Sequence, residues 1–232
     1  EFSVTDANAP SIDVGAGGIT RFNFPTEPLA LQVLHTITTN ALTSTGGINF
    51  NGPNQAAVGD PGPFNGGLLT INVPSLTFGP NAGDNINGPV TFNGGNGADN
   101  VITAGSGGTF TVNATGAITV GSAIEATSGQ RTAPAEPSGD GGTVNLNSTA
   151  GTISVSAPIT VSSNETPAAG APQRQSRSGG NINLNANTPT GTAINITNTG
   201  QLLSLLNAAA PGPGGKITIL ATGTSSRITV NG

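Results

Sequence analysis

The sequence predicts an all-β protein, a right-handed parallel β-helix (β-solenoid) of about eight coils, with a base period of about 20 residues and loop insertions. Three observations predict this fold. Apolar and polar residues alternate over short stretches, which is typical of strands. Gly-Gly pairs recur along the chain, and most of them precede the same short strand. An asparagine closes many of these strands at a nearly constant spacing.

The first strand of each predicted coil has the pattern apolar, polar, apolar, Asn. It occurs at residues 48–51, 69–72, 90–93, 110–113, 144–147 and 182–185, and residues 217–220 are similar but end in Leu. The closing asparagines at 51, 72, 93 and 113 are 21, 21 and 20 residues apart, and those at 147 and 185 follow after 34 and 38. We therefore expect a base coil of about 20 residues that insertions lengthen in the later coils.

A second strand follows in most coils and a third in some. Pairs of apolar residues mark the second strand at 76/78, 118/120, 153/155, 194/196 and 228/230. Ile159 and Val161 mark a third strand. One such coil cannot bury its own apolar side, so a continuous core requires stacked coils. The best candidate for a helix is the leucine-rich stretch 201–210.

The predicted domain organisation has two parts. Residues 1–45 match the repeat worst and are predicted to form an N-terminal cap or irregular first coils. Residues 46–232 are predicted to form the solenoid, with inserts near 122–140 and 162–178 that are rich in Pro, Ser, Ala and Gly. Residues 1–2 are the dipeptide that an EcoRI site encodes, so a natural and a cloning origin both stay open.

The recurring asparagines predict a ladder of stacked amides. Asn tolerates the left-handed backbone and hydrogen-bonds locally, so it suits a turn between sheets. Each amide would donate to one neighbouring coil and accept from the other, which satisfies polar groups inside the stack. The alternative is that Asn simply marks exposed turns. The predicted ladder consists of Asn51, Asn72, Asn93, Asn113, Asn147 and Asn185.

The eight phenylalanines all lie at or before Phe110. Phe50 and Phe92 occupy the same repeat position, and Phe110 begins its strand. Because side chains alternate between the two faces of a strand, the repeat-matched rings are predicted to point inward and stack along the axis. An aromatic platform for a ligand is the alternative.

The repeat resembles a known family. Gly-Gly starts, Ile-x-Leu strands, Gly-Thr-Ile-x-Val second strands and Ser/Ala/Gly-rich inserts, clearest at 141–161 and 179–196, are similar to the repeat regions of filamentous-haemagglutinin-like bacterial exoproteins. The resemblance covers about residues 46–232 and implies a secreted, right-handed β-helix that serves in adhesion. The Asn-Pro-Asn motifs of that family's secretion domain are missing, which implies a shaft segment of a longer parent chain.

A second, local resemblance concerns calcium. Residues 94–101 are similar to the calcium-binding nonapeptide of RTX β-rolls, and a partial copy lies at 79–86. That resemblance implies calcium ligation by Asp84 and Asp99. These two carboxylates are 15 residues apart and the motif does not continue in tandem, whereas a calcium cage needs six to eight oxygens. The favoured interpretation is turn chemistry with no cofactor.

Composition excludes several classes of function. Charged residues make up 7% of the chain and the net charge is −5, so no basic patch for nucleic acid is present. The absence of cysteine removes disulfides, thiol nucleophiles and Cys-zinc sites. No apolar run approaches the roughly 18 residues that span a bilayer, so membrane insertion is not expected.

Catalytic signatures are sparse in this sequence. His35 is the only histidine, and its apolar neighbours suggest a strand residue rather than a member of a triad. The remaining enzyme hypothesis is a polysaccharide lyase or glycoside hydrolase, which needs converging carboxylates or a basic residue beside bound metal. The charged residues in or beside the inserts are the candidates: Glu125, Arg131, Glu136, Asp140, Glu165, Arg174 and Arg177.

Recognition of an ordered lattice such as ice is a further alternative. It would need long rows of threonine on a flat face. Thr-x-Thr occurs at 36–38, 109–111 and 222–224, which is irregular relative to the asparagine spacing, so no long row is predicted.

The sequence thus favours a non-enzymatic, structural or adhesive module of a secreted or cell-surface bacterial protein. Its expected partners are polysaccharide or the surface of a host or neighbouring cell, and its expected location is extracellular or on the outer cell surface. A carbohydrate-active β-helix enzyme is the alternative.

Overall fold

The computed structural model describes residues 3–5, 12–13, 19–20, 34–44, 46–55, 57, 64–80, 85–97, 104–130, 139–164, 177–207 and 213–231. The described part of the chain contains strands and no helix. All strand pairs are parallel. The strands form three long sheets, here called sheet 1, sheet 2 and sheet 3, and two small ones.

Sheet 1 has seven strands, each contributed by a successive turn of the chain. In spatial order they are β1 (Ser3–Thr5), β4 (Leu34–Thr38), β7 (Leu68–Val73), β10 (Thr109–Ala114), β13 (Thr143–Ser148), β17 (Asn181–Asn187) and β21 (Lys216–Thr222).

The strands of sheet 3 have two residues each, and three of the five strands of sheet 2 have three. Sheet 2 contains β8 (Leu76–Phe78), β11 (Ile118–Val120), β14 (Ile153–Val155), β18 (Thr190–Ile196) and β22 (Ser225–Val230). Sheet 3 contains β3 (Ile19–Thr20), β6 (Ile48–Asn49), β9 (Val90–Thr91), β12 (Ile124–Glu125), β15 (Ile159–Thr160) and β19 (Leu202–Leu203). The small sheets pair β2 (Ile12–Asp13) with β5 (Leu42–Thr43) and β16 (Ser163–Asn164) with β20 (Leu206–Asn207).

The parallel β-helix is confirmed, but the predicted coil length is wrong. Register pairs in sheet 1 join Asn72 to Asn113 and Asn113 to Asn147, which are 41 and 34 residues apart. One coil is therefore nearly twice the predicted 20 residues, and the described part of sheet 1 has seven strands, close to the predicted number of about eight coils. The error has a physical cause. The strands of sheets 1 and 3 both place apolar side chains inward at alternate positions, so both carry the apolar-polar-apolar-Asn pattern. The nearly constant spacing of the asparagines therefore measured the distance along the chain between sheet 1 and sheet 3, not the length of a coil.

The core lies between the three sheets. The six-residue strands of sheet 1 alternate half-buried and buried residues along their length, as inward and outward faces require. The predicted second strands are strands of sheet 2, and Leu76, Ile118 and Ile153 are fully buried there. Ile159 and Val161, the predicted third strand, are also fully buried.

The predicted phenylalanine stack is confirmed. The rings of Phe50 and Phe92 are stacked with centroids 5.3 Å apart, and Phe92 stacks on Phe110 at 4.9 Å. Phe78 meets Phe110 edge to face at 5.8 Å. Because all four rings are buried, they form part of the core rather than a ligand platform.

The described residues of the predicted N-terminal part and of the two predicted inserts include strands. The described segments of residues 1–45 form β1 to β5, which pair within the same sheets or with each other. Within the predicted inserts, β12 and β16 belong to the stack. The segment proposed as a helix contains β19 and β20 in its described part, residues 201–207. Its leucines follow the register of neighbouring parallel strands, which overrides their helix propensity.

Candidate contact surface

The outer face of sheet 1 presents columns of neutral polar residues. At one register position the six coils from β4 to β21 carry Thr36, Thr70, Thr111, Asn145, Asn183 and Thr218. The position two residues later carries Thr38, Asn72, Asn113, Asn147, Asn185 and Leu220. Neighbouring strands are about 4.8 Å apart, so each column spaces its hydroxyls and amides at that interval.

The second of these columns is the predicted ladder. The amide nitrogen of Asn72 donates to the hydroxyl of Thr38 at 3.0 Å, and that of Asn113 donates to the Asn72 oxygen at 2.9 Å. Asn147 continues the ladder with a 2.9 Å donation to Asn113. Asn185 holds the next register position but is exposed. The ladder is half-buried on the outside of the sheet rather than in a turn, because asparagine follows an inward residue and so points outward.

Asn51 and Asn93 belong to a different column, at the end of sheet 3. The backbone amide of Asn93 donates to the side-chain oxygen of Asn51 at 2.7 Å, and the amide of Thr127 donates to the Asn93 oxygen at 2.8 Å. The side-chain oxygen thus accepts from the backbone of the next coil. A single ladder through all six predicted asparagines is therefore wrong, since the structure divides them between two sides of the coil.

Sequence reasoning missed a further ladder beside the first. The side-chain nitrogen of Asn183 donates to the Asn145 oxygen at 2.8 Å, and Asn145 donates to the Thr111 hydroxyl at 3.0 Å. The signal was present in the Asn-Leu-Asn triplets at 145–147 and 183–185, where two asparagines two residues apart share one face of a strand.

Substitution of Asn113 by Ala is expected to lower the free energy of unfolding by about 1–2 kcal/mol. The change removes a donation to Asn72 and an acceptance from Asn147 at a half-buried position. Urea denaturation monitored by circular dichroism measures the effect. Asn185→Ala is the control, since Asn185 is exposed, and it is expected to change stability by less than about 0.5 kcal/mol. Equal losses in both variants would show that the ladder does not stabilise the stack.

A glycine-rich stem projects from the corner between sheets 3 and 1. In four successive coils the chain leaves sheet 3, runs outward and returns beside itself to the Gly-Gly pair that precedes the next strand of sheet 1. The two legs are joined by backbone hydrogen bonds of 2.6–2.7 Å: Gly67 to Phe50, Gly108 to Phe92, Gly142 to Ala126 and Gly180 to Val161, with the glycine amide donating in each. The legs also bond to those of the next coil, for example from Gly107 to Asp140 at 3.0 Å.

Close backbone approach explains the glycines of the stem. A Cβ built on Gly141 would overlap the carbonyl oxygen of Val161 and the amide of Gly180. Gly94 and Gly95, part of the RTX-like stretch, are equally close to the backbone of Gly105 and Pro53. Gly94, Gly95 and Gly141 therefore allow close packing of the backbone rather than a free turn.

Side-chain oxygens stack along the return leg of the stem. The amide of Ser106 donates to the side-chain oxygen of Asn65 at 2.8 Å, and the amide of Asp140 donates to the Ser106 hydroxyl at 3.1 Å. The Asp140 carboxylate accepts from both the amide and the hydroxyl of Ser178, at 2.8 and 3.1 Å. Asp140 thus has a structural role in the stem.

The stem brings the ends of five chain segments to one edge of the solenoid. These segments lie between residues 55 and 64, 97 and 104, 130 and 139, 164 and 177, and 207 and 213, and each joins an outward leg to a return leg. Consecutive segments therefore begin and end one coil apart along the axis, at a spacing of about 4.8 Å.

Threonines stack in short runs on the outer face of sheet 1, and asparagine ends each run, since Asn145 follows Thr111 and Asn181 follows Thr143. Thr36, Thr70 and Thr111 are consecutive members of one column in sheet 1, and Thr109 and Thr143 are paired in another. The described strands of sheet 1 therefore carry no long row of threonine.

Sheet 2 carries a shallow groove on its outer face. It measures about 330 Å³ and is lined by Thr152, Ile153, Ser154, Thr192, Asn195 and Thr229. The register of β18 shifts between Thr192 and Ile194, and the groove lies beside this irregularity. Its polar lining is neutral, with hydroxyls and one amide.

Few of the charged candidates can be placed. Glu125 is exposed on the outer face of sheet 3, and one of its oxygens lies 3.5 Å from the side-chain nitrogen of Asn93. Arg177 is half-buried at the start of the return leg that leads to Gly179 and Gly180. Across the described ranges, no group of three or more His, Asp or Glu side chains is placed to hold a metal ion. The other charged candidates, Arg131, Glu136, Glu165 and Arg174, and the calcium candidates Asp84 and Asp99 lie outside the described residues.

His35 occupies an inward position of sheet 1. It shares the register column of Leu69 and Phe110, and its ring meets Phe50 edge to face with centroids 5.4 Å apart. The half-buried histidine thus packs against the end of the aromatic stack, as the strand interpretation predicts.

Comparison with protein-family models, curated proteins and solved structures finds no match. A search for membrane-crossing helices, made over the described segments, finds none of the required length and hydropathy.

Proposed function

We propose that this chain is a structural and adhesive module of a secreted or cell-surface bacterial protein. The stacked coils act as a rigid shaft, and the stem holds the ends of a series of chain segments along one edge for contact with a partner. The observation that carries the proposal is the stem itself, because backbone hydrogen bonds hold its two legs together at four successive coils. A surface built in this way gives repeated weak contacts at fixed spacing, which raises the total affinity for a repetitive partner.

The chemistry of the outer faces supports polysaccharide as the partner. Hydroxyl and amide side chains line sheet 1 and the groove of sheet 2, and they hydrogen-bond to neutral hydroxyl-rich ligands without a charge. The ladders hold the asparagine amides in place before binding, which lowers the entropy lost on contact. A polysaccharide of a host or neighbouring cell surface fits this chemistry. The proposed location of the module is accordingly outside the cell.

Electrophoresis through native gels cast with neutral or acidic polysaccharides tests the proposal. We expect slower migration in gels that contain a neutral polysaccharide, with the polymer left intact when the gel is stained for carbohydrate. A cleared track behind the protein band would instead show an enzyme. Unchanged migration in every gel would contradict a polysaccharide-binding role.

Loop replacements identify the edge that makes the contact. Replacing residues 131–138 by a short Gly-Ser linker is expected to abolish at least half of the retardation, because this segment joins the two legs of the stem. The matched control replaces residues 81–84, which lie in the sequence between β8 of sheet 2 and β9 of sheet 3. Equal retardation of both variants would overturn the assignment to the stem edge.

A further inference from the structure

The four central strands of sheet 1 present an uncharged outer face. Strands β7, β10, β13 and β17 contain no Asp, Glu, Lys, Arg or His. The outward positions that all four strands share hold Thr or Asn, apart from Leu68 at one corner. The register pairs between these strands stay in step, so the columns run unbroken across the four coils. Charge complementarity therefore favours a neutral ligand, because a charged one would lose its water without gaining a counter-charge.

The ladders use only half of the hydrogen-bonding capacity of their interior amides. A primary amide has two N–H donors and two acceptor lone pairs. The side chain of Asn113 donates once, to Asn72, and accepts once, from Asn147. Asn145 does the same in the neighbouring column, where it donates to a threonine and accepts from the next asparagine. Both side chains are half-buried, so each keeps one donor and one acceptor within reach of a ligand.

The amides are also ordered in direction and spacing. Each of the five ladder bonds runs from a side-chain nitrogen to an oxygen of the preceding coil, over 2.8–3.0 Å. Donors and acceptors therefore repeat in one direction along the axis, at intervals of about 4.8 Å. The two ladders stand two residues apart along the strands, which is about 6.6 Å. This array is complementary to a ligand whose own donors and acceptors repeat at the same interval.

The interval of about 4.8 Å is characteristic of hydrogen-bonded amide stacks, because the N–H···O=C bond sets it. Linear polysaccharides of N-acetylated sugars carry such amides as acetamide groups. When their chains pack side by side, the acetamides of neighbouring chains stack in hydrogen-bonded columns. These polymers are neutral, and their hydroxyls can bond to the threonines of the same face. A single dissolved chain lacks the stack, since its acetamides follow one another along the chain and not across it.

We propose that the outer face of sheet 1 binds the ordered form of a neutral N-acetylated polysaccharide, whose stacked acetamides lie in register with the two asparagine ladders. This inference rests on the proposed adhesive function and names the class of ligand for one surface. The ladders fix the amides before contact, so little side-chain entropy is lost on binding. Several weak contacts at matched spacing then add to one another.

Depletion of the 232-residue chain from solution by insoluble polymers tests the proposal. Crystalline chitin carries stacked acetamides, whereas crystalline cellulose has the same backbone with a hydroxyl in place of each acetamide. We expect a dissociation constant at least about tenfold lower for chitin than for cellulose, and only weak competition by dissolved chitin oligomers. Full competition by these oligomers would contradict recognition of the ordered form.

Failure of this inference differs from failure of the adhesive function. Equal affinity for chitin and cellulose, or binding to neither solid, would overturn the inference alone if the chain is still retarded in the polysaccharide gels. Absence of retardation in every gel would contradict the adhesive function as well. Binding to cross-β protein fibrils but not to chitin would assign the ladders to a protein ligand and would likewise overturn the inference.

Removal of two amides from one strand locates the contact. Asn145→Thr combined with Asn147→Thr keeps a hydroxyl at both positions and interrupts both ladders. We expect the double variant to lose affinity for chitin at least about tenfold and to keep its affinity for cellulose. Asn49→Thr is the matched control, since Asn49 is exposed on the outer face of sheet 3 and has Thr20 and Thr91 as register partners.

Thermal unfolding by circular dichroism verifies that each variant folds. A purely structural role of the ladders would lower stability without changing the ratio of the two affinities. If the folded double variant bound chitin as tightly as Asn49→Thr, or lost affinity for both solids equally, the proposed surface would be wrong.

Discussion

Replacing Gly141 by Ala is expected to destabilise the protein by about 3 kcal/mol or more. The new Cβ would overlap the carbonyl oxygen of Val161 and the amide of Gly180, which are the two partners of a 2.6 Å backbone hydrogen bond. Backbone atoms on both sides cannot move aside without breaking the coil-to-coil bonds of the stem. Guanidinium denaturation, followed by circular dichroism, measures the change.

Gly214→Ala is the matched control for this experiment. Gly214 belongs to another Gly-Gly pair, but a Cβ there would meet no atom within 4 Å and its backbone is not in the left-handed region. We expect this variant to be neutral, or more stable by up to about 1 kcal/mol because alanine restricts the unfolded chain. A similar stability for the two variants would show that the stem tolerates side chains and that its glycines serve another purpose.

Replacing Phe110 by Ala is expected to cost about 3–5 kcal/mol of unfolding free energy. The ring is fully buried and contacts Phe92 and Phe78, so its removal leaves a cavity in the middle of the aromatic stack. The same denaturation experiment measures this loss.

Thr109→Ala provides the comparison for Phe110, because Thr109 precedes it on the outer face of the same strand. We expect a change within about 1 kcal/mol, which is the span of strand propensities. If the two variants lost equal stability, the stacked rings would not be the centre of the core.

Local alternation was enough to predict which residues face the core. Leu76, Phe110 and Ile153 were assigned inward from the pattern of apolar and polar residues, and each is fully buried. This inference succeeds because side-chain direction in a strand alternates with a period of two whatever the strand pairs with. The parallel β-helix followed for a related reason, since short strands with one apolar side each need a neighbour to cover them.

The length of the coil could not be inferred in the same way. Residues 90–93 and 110–113 carry the same pattern, yet the first lies on sheet 3 and the second on sheet 1. The pattern records that a strand has an inner and an outer face, and it contains no information on which sheet the strand joins. Pairing over 34 to 41 residues decides that assignment, and only the register of the stacked coils reveals it.

The same distinction holds for the polar residues. The sequence by itself determined that asparagines recur at strand ends, that glycines come in pairs and that charge is scarce. Tertiary structure decided that Asn113 bonds to Asn72 whereas Asn93 bonds to Asn51, and that Gly141 touches the backbone of Val161. Composition and alternation are properties of neighbouring residues, which a sequence shows directly. A ladder or a close contact depends on which coil lies above and below, and that is established only when the whole chain is stacked.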